Sequence, residues 1–213
     1  MSLKAAPIQA PRLYLITPPL SKEAFDLPLS VDLMAACGVA CLLVQMASKG
    51  NDEKERIFHA VAGRVQKKGI ACLVADDPEL CLQAKADGVH MRAEGEQFEK
   101  ALRMLKPGLI VGAGDLRTRH AAMAAGEAGA DYVMFGETGE PQPAVLERTG
   151  WWAELFTVPC VGFAEDLDSI RGFAGAGADF IALCGAIFFD PRGAESALRE
   201  AAAHCLAPPA AGP

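Results

Sequence analysis

One seven-residue pattern recurs along this chain at a spacing that leaves few folds open to it. Lys85-Ala-Asp-Gly-Val-His-Met91, Gly129-Ala-Asp-Tyr-Val-Met-Phe135 and Gly177-Ala-Asp-Phe-Ile-Ala-Leu183 are variants of one another. Cys37-Gly-Val-Ala-Cys-Leu-Leu43 is a fourth, without the Asp. The markers Val39, Asp87, Asp131 and Asp179 stand 48, 44 and 48 residues apart. A period of about 46 residues holds two strand–helix units of about 23 residues, the size of a β/α unit.

Each recurring segment reads as a strand, and the period demands another strand midway between neighbours. Arg12–Thr17, Ile70–Val74, Leu109–Gly112 and Val158–Gly162 fill those places. They are short runs rich in Val, Ile and Leu, bounded by Gly or Pro. Their hydrophobicity is continuous rather than alternating, as in parallel strands covered on both faces. Helical stretches lie between them. Asp52–Lys68 sets Ile57, Ala60, Val61 and Val65 on one stripe, and Glu96–Lys106 does the same with Phe98, Ala101, Leu102 and Leu105. Gly69, Gly108 and Gly129 follow helices, where C-terminal stops belong.

The count is eight strands, each followed by a helix. An open doubly wound sheet also alternates the two, but it usually has fewer strands and lacks this even four-fold spacing. The sequence therefore predicts a single α/β domain closed as a (β/α)8 barrel of the TIM type over residues 12–205. Pro/Ala-rich tails are expected at 1–11 and 206–213. The Asp before strands 4, 6 and 8 reads as a backbone cap at the bottom of the barrel, which serves stability rather than catalysis.

The chain's 213 residues suit one such barrel. A formal charge of −7 argues against general affinity for nucleic acid or a bare anionic membrane. It also makes a polyphosphate ligand awkward without a cation or a local cluster of donors. The seven cysteines are odd in number and include no Cys-x-x-Cys pair. Cys41, Cys72, Cys160 and Cys184 sit in apolar runs, where a thiol behaves as a small hydrophobe. Buried reduced thiols point to a reducing compartment, the cytoplasm. No signal peptide is read before the first strand, and no apolar run reaches the roughly 20 residues that span a bilayer. Association with further copies of the chain stays open.

A barrel of this kind carries its active site at the C-terminal ends of its strands. Read strand by strand, the mouth should present Thr17, then Gln45 and Lys49, then Asp76 and Asp77. His90, Arg92 and Glu94 follow, then Gly114, Asp115 and Arg117. Strands 6 to 8 add Gly136, Glu137 and Thr138, then Glu165 and Asp166, then Cys184 and Gly185. Solvated loops without a ligand would look similar, so each residue has a plainer role to weigh. Lys49 could simply open a helix, Asp76 could cap the loop before Pro78, and His90 could be a satisfied core histidine. Cys184 reads as packing, because no base is evident beside it. His120, next to Arg119 at a helix start, reads as surface. Trp151 and Trp152 read as starting or covering the sixth helix.

Five motifs in order resemble thiamine phosphate synthase and its thiazole tautomerase relatives. They are Leu13-Tyr-Leu-Ile-Thr17, Gln45-Met-Ala-Ser-Lys49, Ala86-Asp-Gly-Val-His90, Gly129-Ala-Asp-Tyr132 and Ala186-Ile-Phe188. The likeness runs in register from about Arg12 to Leu198. It implies a transferase that joins hydroxymethylpyrimidine diphosphate to a thiazole phosphate with release of pyrophosphate. Magnesium assists the leaving diphosphate in such chemistry, and positioning and charge neutralisation do the rest. Carried over residue by residue, it implies substrate contacts from Gln45, Lys49, Gly136, Cys184 and Gly185, and a magnesium ligand in Asp76.

The family's phosphate-handling residues are altered here. Ala47 stands for an Arg, Ala75-Asp76-Asp77 for Asn-Asp-Arg, Gly95 for a metal carboxylate and Gly114 for a Ser. Glu137-Thr-Gly-Glu-Pro141 replaces a loop with a phosphate-binding Lys, and Phe163-Ala-Glu-Asp166 replaces paired glycines. Each lost charged hydrogen bond to a desolvated anion is worth roughly 1.5–3 kcal/mol. Beside the synthase reading therefore stand two others: a barrel of the same descent with a less anionic ligand, and a non-catalytic binding protein.

Overall fold

The computed structural model describes residues 10–21, 27–47, 50–93 and 95–206. The expected tails therefore lie almost wholly outside the described residues. Eight parallel strands close into one ring, in chain order from first to last. They are β1 (Arg12–Ile16), β2 (Val39–Val44), β3 (Ala71–Ala75), β4 (Gly88–Arg92), β5 (Ile110–Gly114), β6 (Tyr132–Phe135), β7 (Cys160–Phe163) and β8 (Phe180–Leu183). The ring shuts where Arg12 to Leu15 pair with Phe180 to Leu183.

Helices follow every strand. They are α1 (Val31–Ala36), α2 (Asn51–Gln66), α3 (Pro78–Gln83), α4 (Gly95–Leu105), α5 (Arg119–Glu127), α6 (Gln142–Leu155) and α7 (Ile170–Gly175). After β8 come the short α8 (Gly185–Phe188) and the long α9 (Ala194–Leu206). The stripe on α4 is buried as read, whereas on α2 Phe58 is buried and Ala60 is exposed. Gly69 and Gly129 take the left-handed backbone of a helix stop, with φ of +72° and +101°. Gly108 does not; α4 ends instead before Pro107, which has no N–H to continue it.

Strand parity divides the core in two. Leu13, Leu15, Leu42, Val44, Val89, Val133 and Ile181 face outward into the layer beneath the helices. Their neighbours Tyr14, Ile16, Cys41, Leu43, Leu73, Tyr132, Met134, Val161, Phe163 and Ala182 fill the lumen. On all the strands but β4 and β5 both faces are thus lined by apolar side chains, which is why those segments show no alternation.

The repeated aspartates fasten the base. Asp87 donates its N–H to the Cys72 carbonyl at 3.0 Å, and its carboxylate takes back the Cys72 N–H at 2.7 Å. Asp179 does the same with Cys160, at 3.1 and 2.8 Å, and Asp131 with Val111. Each joins the start of an even strand to the start of the strand before it.

Trp151 and Trp152 fall in the last turns of α6, not at its start. Trp152 is buried against Phe156, with ring centroids 4.1 Å apart. Trp151 is half-buried beneath the Arg119 guanidinium. His120 is exposed on the first turn of α5, as read.

Candidate active site

The strand ends open into a cavity of about 370 Å³. Its floor is apolar, made by Ile16, Leu43, Ala75, Met134 and Phe163. Its polar lining comes from Gln45, Asp76, His90, Arg92, Asp115, Arg117, Glu137 and Thr138, with Gly114, Gly136 and Cys184 between them. A neighbouring cavity of about 330 Å³ shares Gln45, Ala75 and Asp76 and reaches Lys54.

Gln45 directly follows β2 and is held by its backbone. Its N–H donates to the buried Thr17 hydroxyl at 3.0 Å, and its carbonyl accepts the Leu20 N–H at 2.8 Å. Thr17 is therefore a support for Gln45 and does not itself line the cavity. Gly136 has φ +94°, and a Cβ there would stand 2.6 Å from the Val145 side chain. Both its conformation and its packing need glycine. Cys184 is half-buried at the cavity, and burial raises its thiol pKa, so it is no ready thiolate. Gly185 opens α8 and is not among the lining residues. Lys49 and Glu94, both expected at the mouth, lie outside the described residues.

Neighbouring aspartates divide two roles. Asp77, not Asp76, caps α3 by accepting the Leu80 N–H at 2.9 Å, and it pairs with Lys54 at 2.9 Å. Asp76 faces the cavity in a left-handed conformation, φ 52°. Its Oδ1 accepts the Arg92 N–H at 2.9 Å, and Oδ2 lies 3.8 Å from Arg92 Nε.

The mouth is acidic, yet its acids are paired. Arg117 meets Asp115 at 2.9 Å and also pairs with Glu137. Glu165 and Asp166 turn to local work. Glu165 accepts the Gly139 N–H at 3.1 Å, and Asp166 holds both the N–H and the hydroxyl of Ser169. Of the three acids expected around the mouth after strands 6 and 7, only Glu137 lines the cavity.

Magnesium at a diphosphate site takes one or two carboxylates beside phosphate oxygens and water. Asp76 already serves Arg92, and among the described residues no group of three His, Cys, Asp or Glu side chains could hold a metal ion. Among the described residues Asp76 is the carboxylate that stands where the resemblance expects a magnesium ligand, and it would hold the ion together with phosphate oxygens and water.

The least expected feature lies on the lumen side of the cavity. His90 Nδ1 is 2.9 Å from the Tyr132 hydroxyl, which is 2.8 Å from the Tyr14 hydroxyl. The His90 and Tyr132 rings stack with an interplanar angle of 11°. Two glycines of β5 make the room. A Cβ on Gly112 would lie 2.0 Å from the Tyr132 ring, and one on Gly114 would lie 2.4 Å from His90 Nε2. Burial lowers the His90 pKa to about 4, with the Asp76 charge a smaller opposing effect. Burial also raises both tyrosines, so all three groups are neutral near pH 7. His90 is thus neither a plain core residue nor a cation. The signal for this was Val111-Gly-Ala-Gly114, glycine at two successive lumen-facing positions of one strand.

A closed ring with an apolar-floored, polar-rimmed mouth defines a small-ligand (β/α)8 barrel protein. The comparisons narrow this class. A family model for thiamine monophosphate synthase matches residues 13–187. The chain belongs to that family. It is 34% identical over 196 residues to the thiamine-phosphate synthase of Rhodospirillum centenum, covering 89% of this chain and 95% of that one. The Hyphomonas neptunium thiamine-phosphate synthase is also 34% identical, over 93% of this chain and 96% of its own length. In fold, the chain resembles thiamine phosphate pyrophosphorylase from Pyrococcus furiosus, with a TM-score of 0.77 at 24% identity, covering 93% and 97% of the two chains. A 3-hexulose-6-phosphate synthase shares the fold at TM-score 0.69 and 17% identity, covering 91% and 99%. No described helix is long and apolar enough to cross a membrane.

Proposed function

We propose that this chain is a thiamine phosphate synthase-type barrel whose mouth takes a small ligand less anionic than the diphosphate its family couples. The supporting observation is the charge of the cavity lining. Among the described residues, Asp76, Asp115 and Glu137 face Arg92 and Arg117, so three carboxylates outnumber two guanidiniums, with Arg117 paired to two of them and Arg92 loosely to the third. A diphosphate entering there would have to displace carboxylates from both arginines while meeting a net negative rim. Gln45, Gly136 and Cys184 form the ligand site in this reading, with Gly185 as a further contact, and Lys49, outside the described residues, keeps the contact that the resemblance implies for it. A neutral ring would rest on the apolar floor. The barrel works as one unit over residues 12–205, in a reducing cytoplasm that suits its seven free cysteines.

Calorimetry on the purified full chain tests this reading, with hydroxymethylpyrimidine and its diphosphate compared with and without magnesium. The alcohol is expected to bind, the diphosphate no more tightly, and no pyrophosphate is expected on adding thiazole phosphate. Magnesium-dependent pyrophosphate release that needs both substrates and is lost in Asp76→Ala would overturn it. That outcome belongs to the second reading, transfer in the family's usual form, which the presence of both Gln45 and Asp76 at the cavity favours.

A further inference from the structure

We propose that Tyr132, backed by Tyr14, is a positioning residue that holds His90 as its Nε2–H tautomer, so that the deepest polar contact of the cavity is a neutral hydrogen-bond donor. Three heavy atoms on three different strands form a continuous chain: Tyr14 Oη, Tyr132 Oη and His90 Nδ1, with links of 2.8 and 2.9 Å. The Cys41 side chain neighbours Tyr14 at the far end of the chain. Both tyrosines are almost wholly buried, at 2% and 7% exposure. Each hydroxyl has one proton to give, so the protons along the chain run all one way or all the other.

The two directions differ in quality. In one, Tyr14 donates to Tyr132 and Tyr132 donates to Nδ1, which leaves the proton of the neutral ring on Nε2. The weak S–H donor of Cys41 then points to the Tyr14 oxygen. In the other, Nδ1–H donates to Tyr132, Tyr132 to Tyr14, and the Tyr14 O–H must end on sulfur. Imidazole nitrogen is a strong acceptor and a cysteine sulfur a poor one, so the first direction wins. Nε2–H then points over Gly114, where the missing Cβ leaves its edge open to the cavity. A ligand meets a donor there and must bring an acceptor, such as a ring nitrogen or a carbonyl oxygen. This last step rests on the cavity being the ligand site; the tautomer itself does not.

Long-range proton–nitrogen NMR on the full chain, labelled at its four histidines, reads the tautomer directly. His90→Gln assigns the His90 signals by their loss. The unliganded wild type is expected to give the Nε2–H pattern. Tyr132→Phe should give a mixture of tautomers, with the rest of the amide spectrum kept. Tyr14→Phe, which leaves the Tyr132–Nδ1 link in place, should keep the Nε2–H pattern. An Nδ1–H pattern in the wild type overturns the proposal whether or not either variant folds. So does an unchanged Nε2–H pattern in a folded Tyr132→Phe. Adding hydroxymethylpyrimidine should move the Nε2 signal. The expected tautomer with no movement would support the relay and remove the ligand reading.

Discussion

Asp131 and Val111 exchange two hydrogen bonds across the base of β5 and β6. The Asp131 N–H reaches the Val111 carbonyl at 2.9 Å, and its carboxylate accepts the Val111 N–H at 2.8 Å. Asp131→Ala strands that N–H, which costs about 1–3 kcal/mol. Asp87→Ala and Asp179→Ala should cost similar amounts. The three pairs share no partner, so their effects should add. Urea unfolding measures this, and ligand binding at the opposite end of the barrel should be unchanged.

Gly114 is the residue that lets His90 lie where it does. Gly114→Ser puts a side chain into space the imidazole already fills. The substitution should destabilise the fold by about 1–3 kcal/mol through overpacking. Its second readout is the His90 signal, which should move as the ring is pushed from Tyr132.

A protonation effect follows from the His90 environment. Its pKa is about 4 in the fold, against about 6.5 for an ordinary histidine. Between those values the unfolded chain binds a proton that the folded chain does not. Stability therefore rises with pH from about 4 to about 6.5 and is level above that, by about 3 kcal/mol in total. Urea midpoints across that window should show the slope, and His90→Gln should flatten it.

The mouth arginines are held by acids rather than free. Glu137→Gln releases one partner of Arg117 and removes the excess negative charge of the lining. Inorganic pyrophosphate should then bind more tightly than to the wild type, as read by calorimetry at low salt. Stability should change by less than about 1 kcal/mol, because the pair is exposed.

The thiols should separate into two groups. Cys37 and Cys184 are half-buried, and the other five are buried, with burial pushing Cys81 and Cys160 up to about 12 and Cys205 up to about 11. Mass spectrometry after brief alkylation of the native chain should find label at Cys37 and Cys184 first. A ligand in the cavity should protect Cys184 but not Cys37.

The barrel was legible because its period is written in residues that do one job each time. Asp87, Asp131 and Asp179 recur because the same N–H needs the same acceptor at three places. Gln45 and Asp76 could be placed at the mouth by counting along strands. Their partners could not, because pairing across a ring joins residues far apart in sequence, as Arg117 with Glu137 or Glu165 with Gly139. Glu165 and Asp166 read as mouth acids from their position alone, yet backbone donors close by claimed them. The relay from Tyr14 to His90 spans three strands, and only the two glycines of β5 hinted at it.

The aspartate fasteners sit at one end of the ring and the cavity at the other. Residues at the rim can be exchanged without loosening the joints that keep the cylinder shut. Such separation lets a lineage try new chemistry on an unchanged frame, and it fits the less anionic ligand proposed for this mouth.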